Sequence, residues 1–130
     1  MDAMSKHFTF HELLHSETAE RRGIVNIPND ICIYENLHQL MTQVLEPVRT
    51  ELGIPIYVNS GYRCPALNSL VGGVPNSYHL QGLAADLTTK SPMHNKELFS
   101  ILSRMKANGY PLAELLWEGG GAWIHVAMQP

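Results

Sequence analysis

The stretch "SYHLQGLAADL" (residues 77–87) decides how the rest of the sequence is interpreted. It places His79 and Asp86 seven residues apart, with Gly82 between them. "LAADL" is a short apolar run typical of a buried strand, and in an extended strand Ala84 and Asp86 point to the same face. Gly82 allows the chain to turn tightly before that strand. The stretch therefore predicts a turn followed by a strand that carries one carboxylate into a site.

Helical patterns dominate the sequence before this stretch. Thr9 stands three residues before Glu12, a capping-box spacing that starts a short helix, and Gly23 ends that segment. An apolar stripe with a period of 3.6 predicts a helix over about 31–52, and Pro47 inside it predicts a kink or a break. "IPIYVNS" (54–60) is β-branched and aromatic, which indicates a strand.

The remaining segments predict one long loop, one helix and a hairpin. Residues 61–79 are rich in Gly, Pro, Ser and Asn and predict a long loop of the kind that carries function. A helix is expected over about 95–108, ended by Gly109. "AELLWEGGGAWIHVAM" (113–128) predicts two strands joined by a Gly-rich turn. The expected fold class is α+β with a central antiparallel sheet, and residues 1–130 are expected to form one domain.

Composition excludes several classes of function. The 130 residues carry a formal net charge of −3 without a Lys/Arg cluster, which argues against nucleic acid as a partner. No apolar run approaches the roughly 20 residues of a membrane-spanning helix. The start "MDAMSKHFTF" lacks the features of a signal peptide, so we expect a chain that is cytoplasmic as synthesised.

A third candidate metal ligand lies far along the chain, in "WIHVAM" (123–128). On an extended strand Trp123, His125 and Ala127 share a face, so His125 can reach a neighbouring strand. Two imidazoles and one carboxylate, from His79, Asp86 and His125, suit Zn²⁺ with a water in the fourth position. The alternative from spacing alone is a surface histidine and a capping aspartate without a metal.

The central motif resembles that of a known family. "SYHLQGLAAD" fits the pattern S-x-H-x-x-G-x-A-x-D of the zinc D-Ala-D-Ala carboxypeptidase/endopeptidase family, whose fold is shared with the Hedgehog signalling domain. "FTFHELLHSETA", "NIPNDI", "VNSGYRCPALNSLVGGVPNS" and "LLWEGGGAWIHVAM" are also similar to that family, in particular to its small phage- and Bacteroidetes-like branch. The resemblance covers nearly the whole chain and implies a Hedgehog/DD-peptidase-like fold.

The resemblance also implies roles for individual residues. It implies that His79, Asp86 and His125 ligate zinc and that Arg63, in "SGYR", faces the cleft and binds the carbonyl or carboxylate of the substrate. A salt bridge or a loop brace is the structural alternative for Arg63. Ser77 can hydrogen-bond substrate or brace its loop. The same choice between substrate contact and packing applies to Tyr78.

The general base is less clearly marked. The family's better-known members carry a Glu a few residues before the last zinc histidine, whereas the residue three before His125 is Ala122. If the hairpin pairs Glu118 with Trp123, Glu118 lies on the same face as His125, and a register change of one residue reverses it. We therefore predict Glu118 as the base, with Glu114 as a second candidate and a solvated glutamate as the alternative.

These observations predict a zinc metallopeptidase that hydrolyses stem-peptide bonds of peptidoglycan at or near a D-amino acid, as a carboxypeptidase or an endopeptidase. The rival hypothesis is a catalytically inactive zinc-containing module that binds cell wall or protein. Without a signal peptide, an endolysin-like protein of phage or prophage origin, released to act on the cell wall, is expected. The sequence assigns no oligomeric state.

Overall fold

Four antiparallel strands form one sheet in the computed structural model, which describes residues 5–130. The strands are β1 (Tyr57–Ser60), β2 (Ala84–Thr88), β3 (Leu112–Glu118) and β4 (Trp123–Met128). Their spatial order in the sheet is β1–β2–β4–β3. Along the chain, helices precede β1 and lie between β1 and β2 and between β2 and β3. The predicted α+β class with a central antiparallel sheet is therefore confirmed.

The first helical segment is two helices rather than one. These are α1 (Phe10–Leu14) and α2 (Glu17–Arg22). The capping box predicted from Thr9 and Glu12 is present at the start of α1. The segment divides because His15 and Ser16 are both extended, and Ser16 caps α2, where its hydroxyl accepts the N–H of Ala19. Gly23 ends the segment in the left-handed conformation, as predicted.

The long helical stripe is continuous but changes its winding before Pro47. It consists of α3 (Ile31–Leu40), a π-helical turn (Met41–Leu45) and α4 (Glu46–Leu52). Proline cannot donate a backbone hydrogen bond, and its ring crowds the carbonyl four residues earlier. The chain accommodates it by widening, so that the N–H of Glu46 bonds the carbonyl of Met41. The predicted kink or break is therefore a π turn.

The predicted long loop over 61–79 is partly wrong. It contains α5 (Pro65–Leu70), and a 3₁₀ turn (Tyr78–Gln81) follows at its end. Pro65 occupies the first turn of α5, where its fixed φ suits a helix and no N–H is needed. Leu67 is buried and packs this short helix onto the body of the protein. The abundance of Gly, Pro, Ser and Asn concealed the helix.

The last helix and the hairpin are close to expectation. The helix α6 (Pro92–Ala107) begins three residues before the predicted start, after Ser91 at the N-cap. Asn108 is its C-cap and Gly109 follows with a φ of 98°, which agrees with the predicted end. Gly119–Gly121 form the 3₁₀ turn between β3 and β4.

The two faces of the sheet differ in character. One face carries apolar residues that belong to the same buried cluster as the inward residues of α3, the π turn and α6. From the strands this cluster includes Ala85, Leu87, Ile124 and Val126, and from the helices Leu37, Leu40, Met41, Leu98 and Leu102. The residues that alternate with these apolar residues along the strands lie on the opposite face, which holds the polar side chains described below. Over residues 5–130, none of the helices combines the length and the apolar character that a membrane crossing requires.

Candidate metal centre

Strand register places Asp86 and His125 side by side. Asp86 on β2 pairs directly with His125 on β4, and on its other side it pairs with Ser60 on β1. Directly paired residues of an antiparallel sheet project from the same face. The polar face therefore holds these three side chains in one row across three strands. The strand predicted from "LAADL" carries Asp86 as expected, and all five residues of β2 are buried.

The 3₁₀ turn before β2 brings His79 to the same place. Its Nδ1 lies 2.7 Å from the carbonyl oxygen of Gly61. Since a carbonyl only accepts, Nδ1 carries a proton and donates it, which leaves Nε2 of the neutral ring as the ligand atom. Gly82 ends the turn at a φ of 73°, and a Cβ there would meet the carbonyl of Ile33 at 2.8 Å. Glycine is thus required for both conformation and space.

The three candidate ligands form one compact cluster. Oδ1 of Asp86 lies 3.4 Å from Nε2 of His79 and 2.8 Å from Nδ1 of His125. One ligand atom from each residue falls within 4.8 Å of the others. His79 is only 3% exposed and Asp86 8% exposed, which is unusual for polar groups unless they are paired or bind a metal. Two imidazoles and one carboxylate at this spacing fit Zn²⁺.

The charges of the cluster reinforce one another. Burial alone would raise the pKa of Asp86, but hydrogen bonds to His125 and His79, together with the positive charge that each ring carries when it is protonated, outweigh it and hold the pKa well below its ordinary value. Burial alone would lower the pKa of His125, whereas the carboxylates of Asp86 and Glu114 prevail and raise it. Asp86 is therefore an anion at neutral pH, as a metal ligand must be.

Arg63 lies beside the cluster and is held at three of its nitrogens. Nε donates to Oγ of Ser60 over 3.1 Å, Nη1 to Oδ1 of Asn68 over 3.4 Å and Nη2 to Oδ2 of Asp86 over 3.4 Å. Burial lowers the pKa of Arg63 against the opposing effect of Asp86, and a guanidinium stays charged in proteins. These bonds use three of its five N–H groups, which leaves one on each terminal nitrogen.

The two glutamates of β3 flank His125 in different ways. Leu116 pairs directly with His125, so Glu114 and Glu118 are its diagonal neighbours on either side. The carboxylate of Glu114 lies 2.7 Å from Nε2 of His125. Glu118 pairs with Trp123, the register on which its candidacy depends. Across residues 5–130, no hydrogen bond or ion pair engages the side chain of Glu118.

A cleft of about 420 Å³ opens over the cluster. All seven residues singled out from the sequence line it: Arg63, Ser77, Tyr78, His79, Asp86, Glu118 and His125. Oγ of Ser77 accepts the N–H of His79 over 3.2 Å, so this hydroxyl braces the turn while it faces the cleft. Tyr78 also packs against the core. The structure thus brings these residues to one place together with Glu114, the second candidate base, and adds Leu116 and Trp123 to the lining.

Buried Asn26 fixes the segment around Arg63. Its Nδ2 donates to the carbonyl oxygens of Leu14 and Tyr62, each over 2.9 Å, and its Oδ1 accepts the N–H of Cys64 over 2.7 Å. The backbone is thereby held on both sides of Arg63. The sequence pattern did not single out Asn26, because its partners are distant in the chain.

Two further asparagines were also missed. Buried Asn68 accepts from Arg63 and donates to the carbonyl of Val74 over 2.9 Å. Buried Asn95, on α6, donates to the carbonyl of Gly121 over 2.8 Å and so holds the turn that joins β3 to β4. Their only sequence signal was polarity, which the pattern assigned to loops and helix surfaces.

Comparison with known proteins agrees with this arrangement. A model of the family described as Peptidase M15 matches residues 6–127. The match extends from the segment before α1 to β4 and includes every residue of the cleft named above. No curated protein gives a significant match.

Proposed function

Because the chain belongs to the peptidase M15 family, the zinc D-Ala-D-Ala carboxypeptidase family, we propose that it is a zinc peptidase of bacterial cell walls. Its substrate is the stem peptide of peptidoglycan, cut at or near a D-amino acid. The observation that carries this proposal is the joint placement of the His79, Asp86 and His125 cluster and the uncommitted carboxylate of Glu118 in one cleft. Peptidoglycan lies outside the cytoplasmic membrane, so the protein acts after release; a phage or prophage origin stays a prediction.

A metal ion would be held by Nε2 of His79, a carboxylate oxygen of Asp86 and Nδ1 of His125. These are the atoms that face one another in the structure. Zinc at this site would supply a more acidic water molecule and a positive charge that polarises the scissile carbonyl. His79 is oriented for this role by Gly61, and Asp86 by its two histidine neighbours and Arg63.

Glu118 serves as the general base and later as the proton donor. Its side chain lines the cleft and is half-buried, and its carboxylate has no competing partner among the described residues. It accepts the proton of the attacking water and passes it to the amine that leaves when the peptide bond breaks. Glu114 is less suited to this transfer because its carboxylate is already bonded to His125.

Arg63 stabilises the negative charge that develops on the carbonyl oxygen. The guanidinium is held on one side by Ser60, Asn68 and Asp86, so its remaining N–H groups have little freedom. Donors fixed in this way act without reorganisation as charge develops. Ser77 and Tyr78 border the same cleft, and we assign them to contacts with the peptide.

The charges of the cleft favour cleavage inside a peptide over removal of a terminal residue. Among the described residues that line it, Arg63 is the one Lys or Arg, whereas three are acidic. One N–H of Arg63 is bonded to Asp86, and we assign the two that remain free to the carbonyl oxygen of the scissile bond. A carboxypeptidase needs a free cation for the terminal carboxylate of its substrate. The composition of the cleft therefore supports an endopeptidase.

The test is the Glu118→Gln variant assayed with purified peptidoglycan. We expect it to retain one zinc ion per chain and to lose about 10²- to 10⁴-fold in the rate at which new amino termini appear. Mass analysis of the released muropeptides identifies the bond that is cut. If zinc-loaded wild-type protein releases no amino termini from any cell wall tested, the proposal is refuted. Retained binding to the wall would then establish the rival hypothesis of an inactive binding module.

A further inference from the structure

We propose that Glu114 is the positioning residue of the last candidate ligand: its carboxylate accepts the proton of His125 Nε2 and thereby makes Nδ1 the metal-binding atom. The inference rests on the proposed function only in requiring a bound metal, and it needs no hydrolysis. It also separates the two glutamates of β3, one of which acts on the metal site and the other on the substrate.

The geometry of His125 carries this inference. Nδ1 faces Asp86 at 2.8 Å and Nε2 faces Glu114 at 2.7 Å, so each ring nitrogen has its own carboxylate. The two carboxylates differ in their surroundings. Oδ1 of Asp86 also lies within 3.4 Å of Nε2 of His79, which makes it part of the three-residue cluster, whereas Glu114 lies outside that cluster.

A neutral imidazole has one nitrogen with a proton and one with a lone pair. The lone pair must lie on the side of the cluster, which is Nδ1, and the proton must then lie on Nε2. A carboxylate that accepts this proton fixes the tautomer and the plane of the ring and increases the basicity of the ligating nitrogen. Gly61 does the same for His79 through its carbonyl, with the two ring nitrogens in exchanged roles.

Strand register explains how Glu114 reaches this position. Leu112 pairs with Met128 and Glu114 with Ala127, so the register shifts by one residue between them. After this shift the side chains of Glu114, Leu116 and Glu118 all lie on the face of His125. Glu114 then spans the diagonal to His125, a distance that a long side chain can bridge.

Zinc affinity is the first measurement. Wild type, Glu114→Ala, Glu114→Gln and Glu118→Gln are each titrated in competition with a chelator of known affinity, and their folding is compared by circular dichroism. We expect Glu114→Ala to weaken zinc binding about 10- to 100-fold. Glu114→Gln should lose less, because its amide oxygen can still accept the proton. Glu118→Gln is the matched control on the same strand and face, and it should bind zinc as wild type does.

The second measurement is the histidine tautomer in zinc-loaded, ¹⁵N-labelled wild-type protein. We expect His125 to be metallated at Nδ1 and protonated at Nε2, and His79 to show the reverse. Metallation of His125 at Nε2 overturns the inference, and so does zinc affinity in folded Glu114→Ala equal to that of wild type. If Glu114→Ala fails to fold, the wild-type tautomer decides alone. A protein with the expected tautomers that cleaves no peptidoglycan refutes the proposed function and leaves this inference standing.

Discussion

Replacement of Asn95 by alanine should weaken the fold and the site together. Asn95 is only 2% exposed, and its amide group has five hydrogen-bond partners. Its Oδ1 accepts from the N–H and the hydroxyl of Thr89, each over 2.7 Å. The two N–H groups of Nδ2 are shared among three acceptors, the carbonyls of Gly121 and Ala122 and the hydroxyl of Thr88. The residue thus connects the end of β2, the first turn of α6 and the turn between β3 and β4.

The magnitude follows from the four hydrogen bonds that one amide group can make, two donated and two accepted. At about 1 kcal/mol of net stability each, the complete loss would approach 4 kcal/mol. The turn borders a pocket that is open to the surface, so water can replace part of the lost bonding. We therefore expect the free energy of unfolding to fall by about 3 kcal/mol. With a urea m-value of about 1.5–2 kcal/mol/M, the midpoint should fall by roughly 1.5–2 M.

The assay is urea unfolding followed by tryptophan fluorescence, since Trp117 and Trp123 lie on either side of the turn. Ser100→Ala is the matched control, because it replaces an exposed polar residue of the same helix. Asn95→Asp separates the two halves of the amide: it keeps the acceptor for Thr89 but loses both donors. A midpoint for Asn95→Ala that equals the control would refute the argument that this amide braces the turn.

Three further predictions concern the site. Arg63→Ala should lower kcat about 10²- to 10³-fold, and Arg63→Lys should recover only part of this loss because lysine lacks the planar fork. Steady-state kinetics at full zinc content measures the effect. If the variant loses zinc in the same proportion as activity, Arg63 acts as a brace of Asp86 instead. Removal of the metal by a chelator should lower the free energy of unfolding, and zinc at 100 times its Kd should restore about 2.7 kcal/mol of it, as measured by urea unfolding. Identical urea midpoints with and without zinc would contradict a metal site. Matched peptides with a free or an amidated C-terminus should be cut at similar rates, as mass spectrometry of the products would show; an uncut amide would establish a carboxypeptidase.

The sequence predicted which candidate residues lie together better than it predicted the helices around them. Periodicity was sufficient for β2 and for the hairpin, because alternation fixes which residues face together once the register is known. The pairing of Glu118 with Trp123 was stated as a condition, and the structure satisfies it. The helix at Pro65–Leu70 was missed because a short helix buries few residues and its composition is that of a loop.

The bracing asparagines lay beyond such patterns for a different reason. Asn26 bonds backbone groups that are 12 and 36 residues away in the chain. Asn95 likewise reaches Gly121, 26 residues away. Bonds of this kind depend on how distant segments meet, and a polar residue within a helical or loop pattern gives no indication of its partner. The contact of Glu114 with His125 is of the same kind, because the sequence pattern indicates Glu114 only as a candidate base.

The position of β4 between β2 and β3 has a consequence for the folding reaction. The β3–β4 hairpin is local, but its pairing with β2 joins residues 39 positions apart, and such non-local pairing is slow to form. Since Asp86 and His125 are register partners in that pairing, a folding intermediate without it cannot present the complete ligand set. Hydrolytic activity should therefore appear no earlier than the pairing of β4 with β2. The recovery of activity during refolding would then report the time course of the pairing of β4 with β2.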